Sequence, residues 1–312
     1  MAAVLVCALA VWAWRDPMAP LRGVLAVQGR WIGLSERHAV IGDHRWAYDE
    51  REAKVAGAPT VVMVHGFTGG KENWYPLAER LGGRYRLVVP DLPGWGESQR
   101  IDGADYGFAA QAARLADFLR HVRRDGSPIV LLGHSMGGGI AAIAAAEHPQ
   151  LVARVGLIDA AGVRFQDNQF GIDVLAGENP FAVSDAASLQ RYLDTVFHDR
   201  AVQPSLPWPV SEAVIGWRIR QAPFEQQVLD RIGRSDQRFL PGQAAAAIRQ
   251  PALLLWCRQD RVIDPSAMAL YAAQMPQAIQ VSLDDCGHMS IMEKPDDVAA
   301  AVARLISQGT PR

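Results

Sequence analysis

The sequence predicts an α/β fold in which a mostly parallel sheet is flanked by helices, with a helical cap inserted after the sixth strand. Short apolar runs of strand length alternate with helical stretches, which is typical of a parallel sheet covered on both faces. Of the 312 residues, 49% are hydrophobic and 21% are charged, so the chain can bury a large core. One interval breaks the alternation: about ninety residues between Asp159 and Pro251 show helical patterns and no convincing strand. That is too long for a loop.

The elements are predicted as follows. An early antiparallel hairpin turns at Gly42-Asp43 and includes residues 46–48. The buried strands that follow are predicted at 60–64, 86–90, 128–132, 155–158, 252–256 and 279–283. Helical patterns lie at 74–81, 108–123, 136–148, 265–274 and 296–307. This divides the chain into an apolar N-terminal segment (1–35), an α/β core (36–162 and 240–312) and the cap (163–239).

The N-terminal segment begins with fourteen uncharged residues, followed by Arg15 and Asp16. A membrane-spanning helix needs about 20 apolar residues, and a secretory signal begins with basic residues. Trp12 and Trp14 beside Arg15 suit a membrane–water interface. A membrane anchor, a cleaved export signal and a buried apolar helix therefore remain alternatives. We expect association with a membrane surface through the N-terminus, at the bacterial inner membrane or in the periplasm, with an exported form as the alternative.

The composition excludes several classes of protein. Thirty-one basic and 33 acidic residues give a net charge of −2, without the basic excess of a nucleic-acid-binding protein. Three cysteines are too few to predict a disulfide framework, and no zinc spacing occurs. Gly69, Gly70 and Lys71 resemble a P-loop, but Glu72 replaces the required Ser or Thr. No dinucleotide or metalloprotease motif is present, so we expect neither a cofactor nor a metal.

The segment Gly133-His-Ser-Met-Gly137 follows a predicted strand and begins a helix of small residues. In that context G-x-S-x-G predicts a nucleophile on a sharp turn, with Ser135 as the nucleophile. The glycines two positions away on each side are needed because the turn leaves no room for side chains.

A serine hydroxyl needs a base, and the base needs an orienting carboxylate. His288 follows the last predicted strand and is the candidate base. Asp260 follows the preceding strand and is the candidate acid, with Asp264 and Asp159 as alternatives. Asp264 precedes a proline and resembles a helix N-cap. Two backbone N–H groups are expected to stabilise the oxyanion: that of Met136, and that of Phe67 in the loop after strand 60–64.

These residues resemble the α/β-hydrolase superfamily over about residues 36–307. Its markers here are His65-Gly-Phe67, Asp91-Leu-Pro-Gly-Trp-Gly-Glu-Ser98, the Ser135 motif, Asp260 and Gly287-His288. The chain is similar to the membrane-anchored monoacylglycerol lipases and related bacterial lipases. Three segments carry this similarity: Ala161-Gly162, Lys71-Glu-Asn-Trp74 and residues 288–295. The resemblance implies Ser135, Asp260 and His288 as a triad, and Phe67 and Met136 as oxyanion donors. Cys257 departs from it, because many relatives have glycine there.

The expected function is hydrolysis of a small-molecule lipid ester by a serine carboxylic-ester hydrolase that forms an acyl-enzyme. Candidate substrate-binding residues are Phe170, Phe197, Trp208 and Met289, with Phe181 and Phe224 as further aromatic residues of the cap. The alternative enzyme is a carbon–carbon bond hydrolase of aromatic meta-cleavage products. A non-enzymatic binding protein is a third alternative. The sequence does not predict the oligomeric state.

Overall fold

The computed structural model describes residues 16–124 and 127–308. Their eight strands form one sheet in the order β1-β2-β4-β3-β5-β6-β7-β8. β1 and β2 form an antiparallel hairpin, β2 is antiparallel to β4, and the remaining pairs are parallel. The strands are β1 (Ser35–Ile41), β2 (His44–Arg51), β3 (Thr60–Val64), β4 (Arg86–Pro90), β5 (Ile129–His134), β6 (Val152–Ile158), β7 (Ala252–Cys257) and β8 (Ile279–Leu283).

Helices cover both faces of this sheet. They are α1 (Ala19–Trp31), α2 (Tyr75–Leu81), α3 (Phe108–Val122), α4 (Met136–Glu147), α5 (Gln169–Ala176), α6 (Ala186–Val196), α7 (Val210–Leu229), α8 (Leu240–Ala245), α9 (Ser266–Gln274), α10 (Ser290–Glu293) and α11 (Pro295–Ser307). One large apolar cluster lies between the sheet and the helices α3 and α4. A second lies on the face with α2 and α11. The predicted α/β architecture is confirmed, since short strands buried on both faces require helices on both sides.

The cap helices α5, α6 and α7 lie between β6 and β7, as the insertion after the sixth strand predicts. A buried ion pair inside the cap joins Arg218 to Glu225 at 3.2 Å. The same guanidinium donates a hydrogen bond to the carbonyl oxygen of Phe181 (2.7 Å). These contacts fix the loop between α5 and α6, which lies over the site. The domain limits at residues 163 and 239 stay a prediction.

The predicted N-terminal segment falls partly outside the described residues, since residues 1–15 are not among them. Its described part contains α1, which packs on the core through Gly29: a Cβ there would approach the Tyr75 hydroxyl to 3.0 Å. The opposite side of α1 exposes Val24, Val27 and Trp31. Within residues 16–124 and 127–308, no helix has the length and apolar character needed to cross a membrane.

The structure contains a disulfide that the number of cysteines did not predict. Cys257, at the end of β7, forms a disulfide with Cys286, in the loop after β8. The two strands are parallel neighbours, with Cys257 opposite Leu283, so their following loops lie side by side. An odd number of cysteines argued against a framework of bridges, but it did not exclude a single one.

Candidate active site

Ser135 occupies the turn between β5 and α4 with a positive φ that non-glycine residues rarely adopt, φ 55° and ψ −121°. The turn is so tight that a Cβ at Gly133 would lie 2.2 Å from the Gly137 carbonyl oxygen. A Cβ at Gly137 would lie 2.4 Å from the His65 carbonyl oxygen. The spacing of glycines therefore has the steric reason that the sequence suggested. Such a strained residue is retained where the surrounding structure fixes it, commonly at functional sites.

The loop after β3 approaches this turn closely. A Cβ at Gly66 would lie 2.9 Å from the Ser135 Cβ, so only glycine brings the next residue, Phe67, so near. His65 holds the loop: its Nδ1 donates to the Gly66 carbonyl oxygen (2.8 Å), and its Nε2 accepts from the Leu92 N–H (2.9 Å). Within the described residues, the N–H groups of Phe67 and Met136 have no hydrogen-bond acceptor. Because buried N–H groups are rarely left without an acceptor, these two N–H groups are suited to bind an oxygen atom of a ligand.

The structure brings the three candidate triad residues together. His288 Nε2 lies 2.8 Å from Ser135 Oγ, and His288 Nδ1 lies 2.8 Å from Asp260 Oδ2. All three side chains are buried. Burial lowers the pKa of His288 below its ordinary value of 6.5, so the ring is neutral at neutral pH and Nε2 can accept a proton.

Asp260 is held in place by its other oxygen, which accepts hydrogen bonds from the N–H groups of Val262 (2.8 Å) and Ile263 (3.0 Å). Burial raises the pKa of Asp260, and these two donors oppose that shift because they stabilise the carboxylate. The alternative acids lie elsewhere. Asp264 accepts from the Ser266 N–H at the start of α9 (2.9 Å), and Asp159 accepts from the Cys257 N–H (3.1 Å).

The base is also fixed through its backbone. His134 Nε2 donates to the His288 carbonyl oxygen (2.6 Å). Burial, followed by the neighbouring His288, lowers the pKa of His134 to about 3, so its ring is neutral. The buried carboxylate of Glu293 accepts from the Gly287 N–H (2.8 Å) and from two N–H groups just after α6. The loop that carries His288 is therefore tied to the cap.

A cavity of about 190 Å³ opens beside Ser135. Phe67 and Met136 line it next to the serine, and the rest of its wall is mainly apolar cap surface that includes Phe170, Val174, Phe181, Leu229 and Ile232. Arg164, Asp167 and Arg238 are its charged lining residues. Its volume and its mainly apolar wall suit a hydrocarbon chain.

A second cavity, of about 30 Å³, shares Ser135, Phe67 and Phe181 with the first. His288 and Met289 line only this smaller one of the two. Thr68 and the α6 residue Tyr192 also line it, and their hydroxyl oxygens lie 3.1 Å apart. Within the described ranges, no charged residue lines it. Thr68 and Tyr192 were not among the predicted site residues, because 124 positions separate them in the chain.

The predicted substrate-binding residues are distributed unevenly. Phe170 lines the large cavity and Met289 the small one. Phe197 is buried behind the base loop, where a Cβ at Gly287 would touch its backbone, and it does not line either cavity. Trp208 is 80% exposed at the surface and lines neither. Phe224 packs against Trp95 away from the site.

Known proteins with similar sequences include lipases. Lipase 1 of Psychrobacter immobilis is 31% identical over 78% of this chain and 75% of its own length. Monoacylglycerol lipase abhd6-B of Xenopus laevis is 27% identical over 89% of this chain and 84% of its own. The crystal structure of a membrane phospholipase A, described as a bacterial virulence factor, has 32% identity, covers 98% of this chain and 96% of its own, and superposes with a TM-score of 0.86.

For the solved structure of 2-hydroxy-6-oxo-6-phenylhexa-2,4-dienoate hydrolase of a Rhodococcus strain, the likeness shows the fold alone. It is 19% identical, with a TM-score of 0.71, and covers 88% of this chain and 99% of its own. The family model of the alpha/beta hydrolase fold matches residues 59–295, which include every candidate triad and oxyanion residue. Together with the lipase relatives, this match shows that the chain belongs to the alpha/beta hydrolase fold family.

Proposed function

We propose that the protein is a serine carboxylic-ester hydrolase that acts on lipid esters such as acylglycerols. The observation that carries this proposal is the continuous chain Ser135–His288–Asp260, with both links at 2.8 Å, at the end of an apolar cavity of about 190 Å³. The lipases among the relatives support the same class of substrate.

The reaction begins when His288 Nε2 takes the proton of Ser135 Oγ, which attacks the ester carbonyl carbon. Asp260 keeps the proton of His288 on Nδ1 and stabilises the imidazolium that forms. The N–H groups of Phe67 and Met136 donate to the developing oxyanion. The imidazolium then protonates the leaving alcohol, and an acyl-Ser135 ester remains. A water molecule, deprotonated by His288, hydrolyses this ester and restores the serine.

Labelling tests the nucleophile directly. A fluorophosphonate probe should label the wild-type protein at Ser135 and leave Ser135→Ala unlabelled. Loss of a triad residue should lower turnover by several orders of magnitude, about 10⁶-fold. Ser290→Ala is a matched control for labelling, since Ser290 is a second buried serine whose hydroxyl donates to Asp159 and which lines neither cavity. Labelling that persists in Ser135→Ala would refute the proposal.

The acyl specificity is tested by hydrolysis of glycerol esters of graded chain length. We expect kcat/KM to rise with chain length until the large cavity is filled. Phe170→Ala should shift the preferred length upward, because it removes part of the cavity wall. A rate that does not depend on chain length would count against the large cavity as the acyl site.

We further propose that the protein works at a membrane and outside the cytoplasm. The uncharged residues 1–14 precede α1, which exposes Val24, Val27 and Trp31. The Cys257–Cys286 disulfide favours an oxidising compartment such as the periplasm, because cytosolic thiols are kept reduced. Fractionation of tagged protein tests both parts: recovery in the cytoplasmic fraction with free thiols would overturn them.

A further inference from the structure

The small cavity beside the base divides the site into two chemically different sides. His288 must protonate the oxygen of the departing alcohol, so that alcohol has to lie on the side of Ser135 where His288 is found. Of the two cavities, only the smaller is lined by His288. Resting on the proposed ester hydrolysis, we propose that this cavity is the alcohol site and that Tyr192 and Thr68 select a small, neutral, hydroxylated alcohol.

Size gives the first argument. A cavity needs about 10–15 Å³ to hold one water molecule, so about 30 Å³ accommodates only a few heavy atoms. A short alcohol can be accommodated there, whereas any further acyl chain on the alcohol would have to lie outside this cavity. The large cavity, in contrast, has the apolar wall that one acyl chain requires.

Hydrogen bonding gives the second argument. The Thr68 and Tyr192 hydroxyls are 3.1 Å apart, so one donates to the other. In the described part of the chain, neither hydroxyl has another hydrogen-bond partner. One hydroxyl proton and several lone pairs therefore remain for a ligand. A hydroxyl group of the substrate can both accept that proton and donate its own.

Charge gives the third argument. The lining of the small cavity described by the structure contains no Lys, Arg, Asp or Glu. Burying a phosphate or an ammonium group without a partner costs far more than burying a hydroxyl group that is hydrogen-bonded. The cavity therefore discriminates against charged head groups as well as bulky ones.

The surrounding contacts hold Thr68 and Tyr192 in fixed positions, which suits them to discriminate between alcohols. The Tyr192 ring packs under the Arg218 guanidinium at 5.0 Å, and Arg218 is itself paired with Glu225. Thr68 has φ 60° and follows Phe67, the proposed oxyanion donor. Tyr192→Phe removes the hydroxyl and leaves the ring contacts in place.

The test compares four esters of decanoic acid in detergent micelles: glyceryl monodecanoate, methyl decanoate, glyceryl tris(decanoate) and 1-decanoylglycerol 3-phosphate. Wild-type protein should prefer the monodecanoate over the last two by at least about 10-fold, because the triester is too large for the cavity and the phosphate would bury an unpaired charge. Tyr192→Phe should lower the ratio of kcat/KM for glyceryl over methyl ester by about 3- to 10-fold, the loss of one neutral hydrogen bond. Thr68→Ser should retain more of this ratio than Thr68→Ala.

The control is Tyr85→Phe, which removes a tyrosine hydroxyl at the start of β4, outside both cavities; its ratio should match wild type. Equal wild-type rates on the four esters, or an unchanged ratio in Tyr192→Phe, would overturn the alcohol site while ester hydrolysis stands. Failure of the proposed function has a different signature, namely no hydrolysis and no fluorophosphonate labelling. If a variant does not fold, the wild-type ester series still decides the proposal.

Discussion

The disulfide between Cys257 and Cys286 joins the loop that carries the acid to the loop that carries the base, and we predict that both stability and turnover depend on it. The bridge closes a loop of 29 residues. A chain-entropy estimate for that length is about 12 cal mol⁻¹ K⁻¹, or about 3.6 kcal/mol at 25 °C. Cys257→Ala with Cys286→Ala should therefore lower the free energy of unfolding by about 3–4 kcal/mol.

The catalytic effect follows from position. Asp260 lies three residues after one cysteine, and His288 two residues after the other. Without the bridge, the Asp260–His288 contact of 2.8 Å depends on weaker links, such as the 3.4 Å hydrogen bond from the Cys286 N–H to Gln259. A misplacement of 1 Å at a reacting group can cost about 100-fold, so kcat should fall by about 10- to 100-fold.

The assay uses a Cys7→Ser parent, so that the third cysteine cannot exchange with the bridge. Urea unfolding followed by tryptophan fluorescence gives the stability, and hydrolysis of p-nitrophenyl butyrate gives kcat. Both cysteines are buried, so the reductant TCEP should inactivate the parent only in urea concentrations that loosen the fold. It should leave the double-alanine variant unchanged. Equal stability and kcat in parent and double variant would refute the reasoning.

The remaining predictions concern the acid, the base loop and the N-terminus. Asp260→Asn should lower kcat by about 10⁴-fold, whereas Asp264→Asn should leave kcat near the wild-type value, since that side chain accepts from the Ser266 N–H and an asparagine oxygen can do the same; the opposite ranking in kinetic assays would move the acid. Glu293→Gln should destabilise the protein by about 2–3 kcal/mol in urea unfolding, because an amide NH₂ would replace an acceptor of backbone N–H groups; an unchanged midpoint would contradict this. Deletion of residues 1–17 should release the protein from membranes in sedimentation assays and spare hydrolysis of a soluble ester; persistent sedimentation would count against the anchor.

The sequence predicted the sheet well because its strands are short apolar runs with clear ends. Strands 60–64, 86–90 and 279–283 were placed at the residues that the structure gives. Parallel strands also bring their carboxyl ends to one edge, which is why residues as distant as 135 and 288 could be predicted to meet. The strand 155–158 was predicted too short, since Val152–Ile158 has two half-buried positions, Ala153 and Arg154, that interrupt the apolar run after its first residue.

What the sequence could not predict depends on how the cap packs. Trp208 was expected near the substrate because it is aromatic, yet nothing local shows which face of the cap a residue joins. The contact between Thr68 and Tyr192 has no sequence signature for the same reason. The disulfide did leave a signal: each cysteine ends or follows one of two neighbouring parallel strands, and that placement brings their loops together.

The cap differs from a freely moving lid because the end of α6 is hydrogen-bonded to the loop that carries His288. The end of α6 is tied to the base loop by Glu293 and by the hydrogen bond from the Met289 N–H to the Val196 carbonyl oxygen (3.0 Å). A large displacement of α6 would therefore also disturb His288. On α5, in contrast, Leu175 lines the large cavity while 56% of it is exposed to solvent. An acyl chain can enter past α5 without breaking a contact of the base, so access to the acyl cavity and the geometry of the base can be separate properties of one cap.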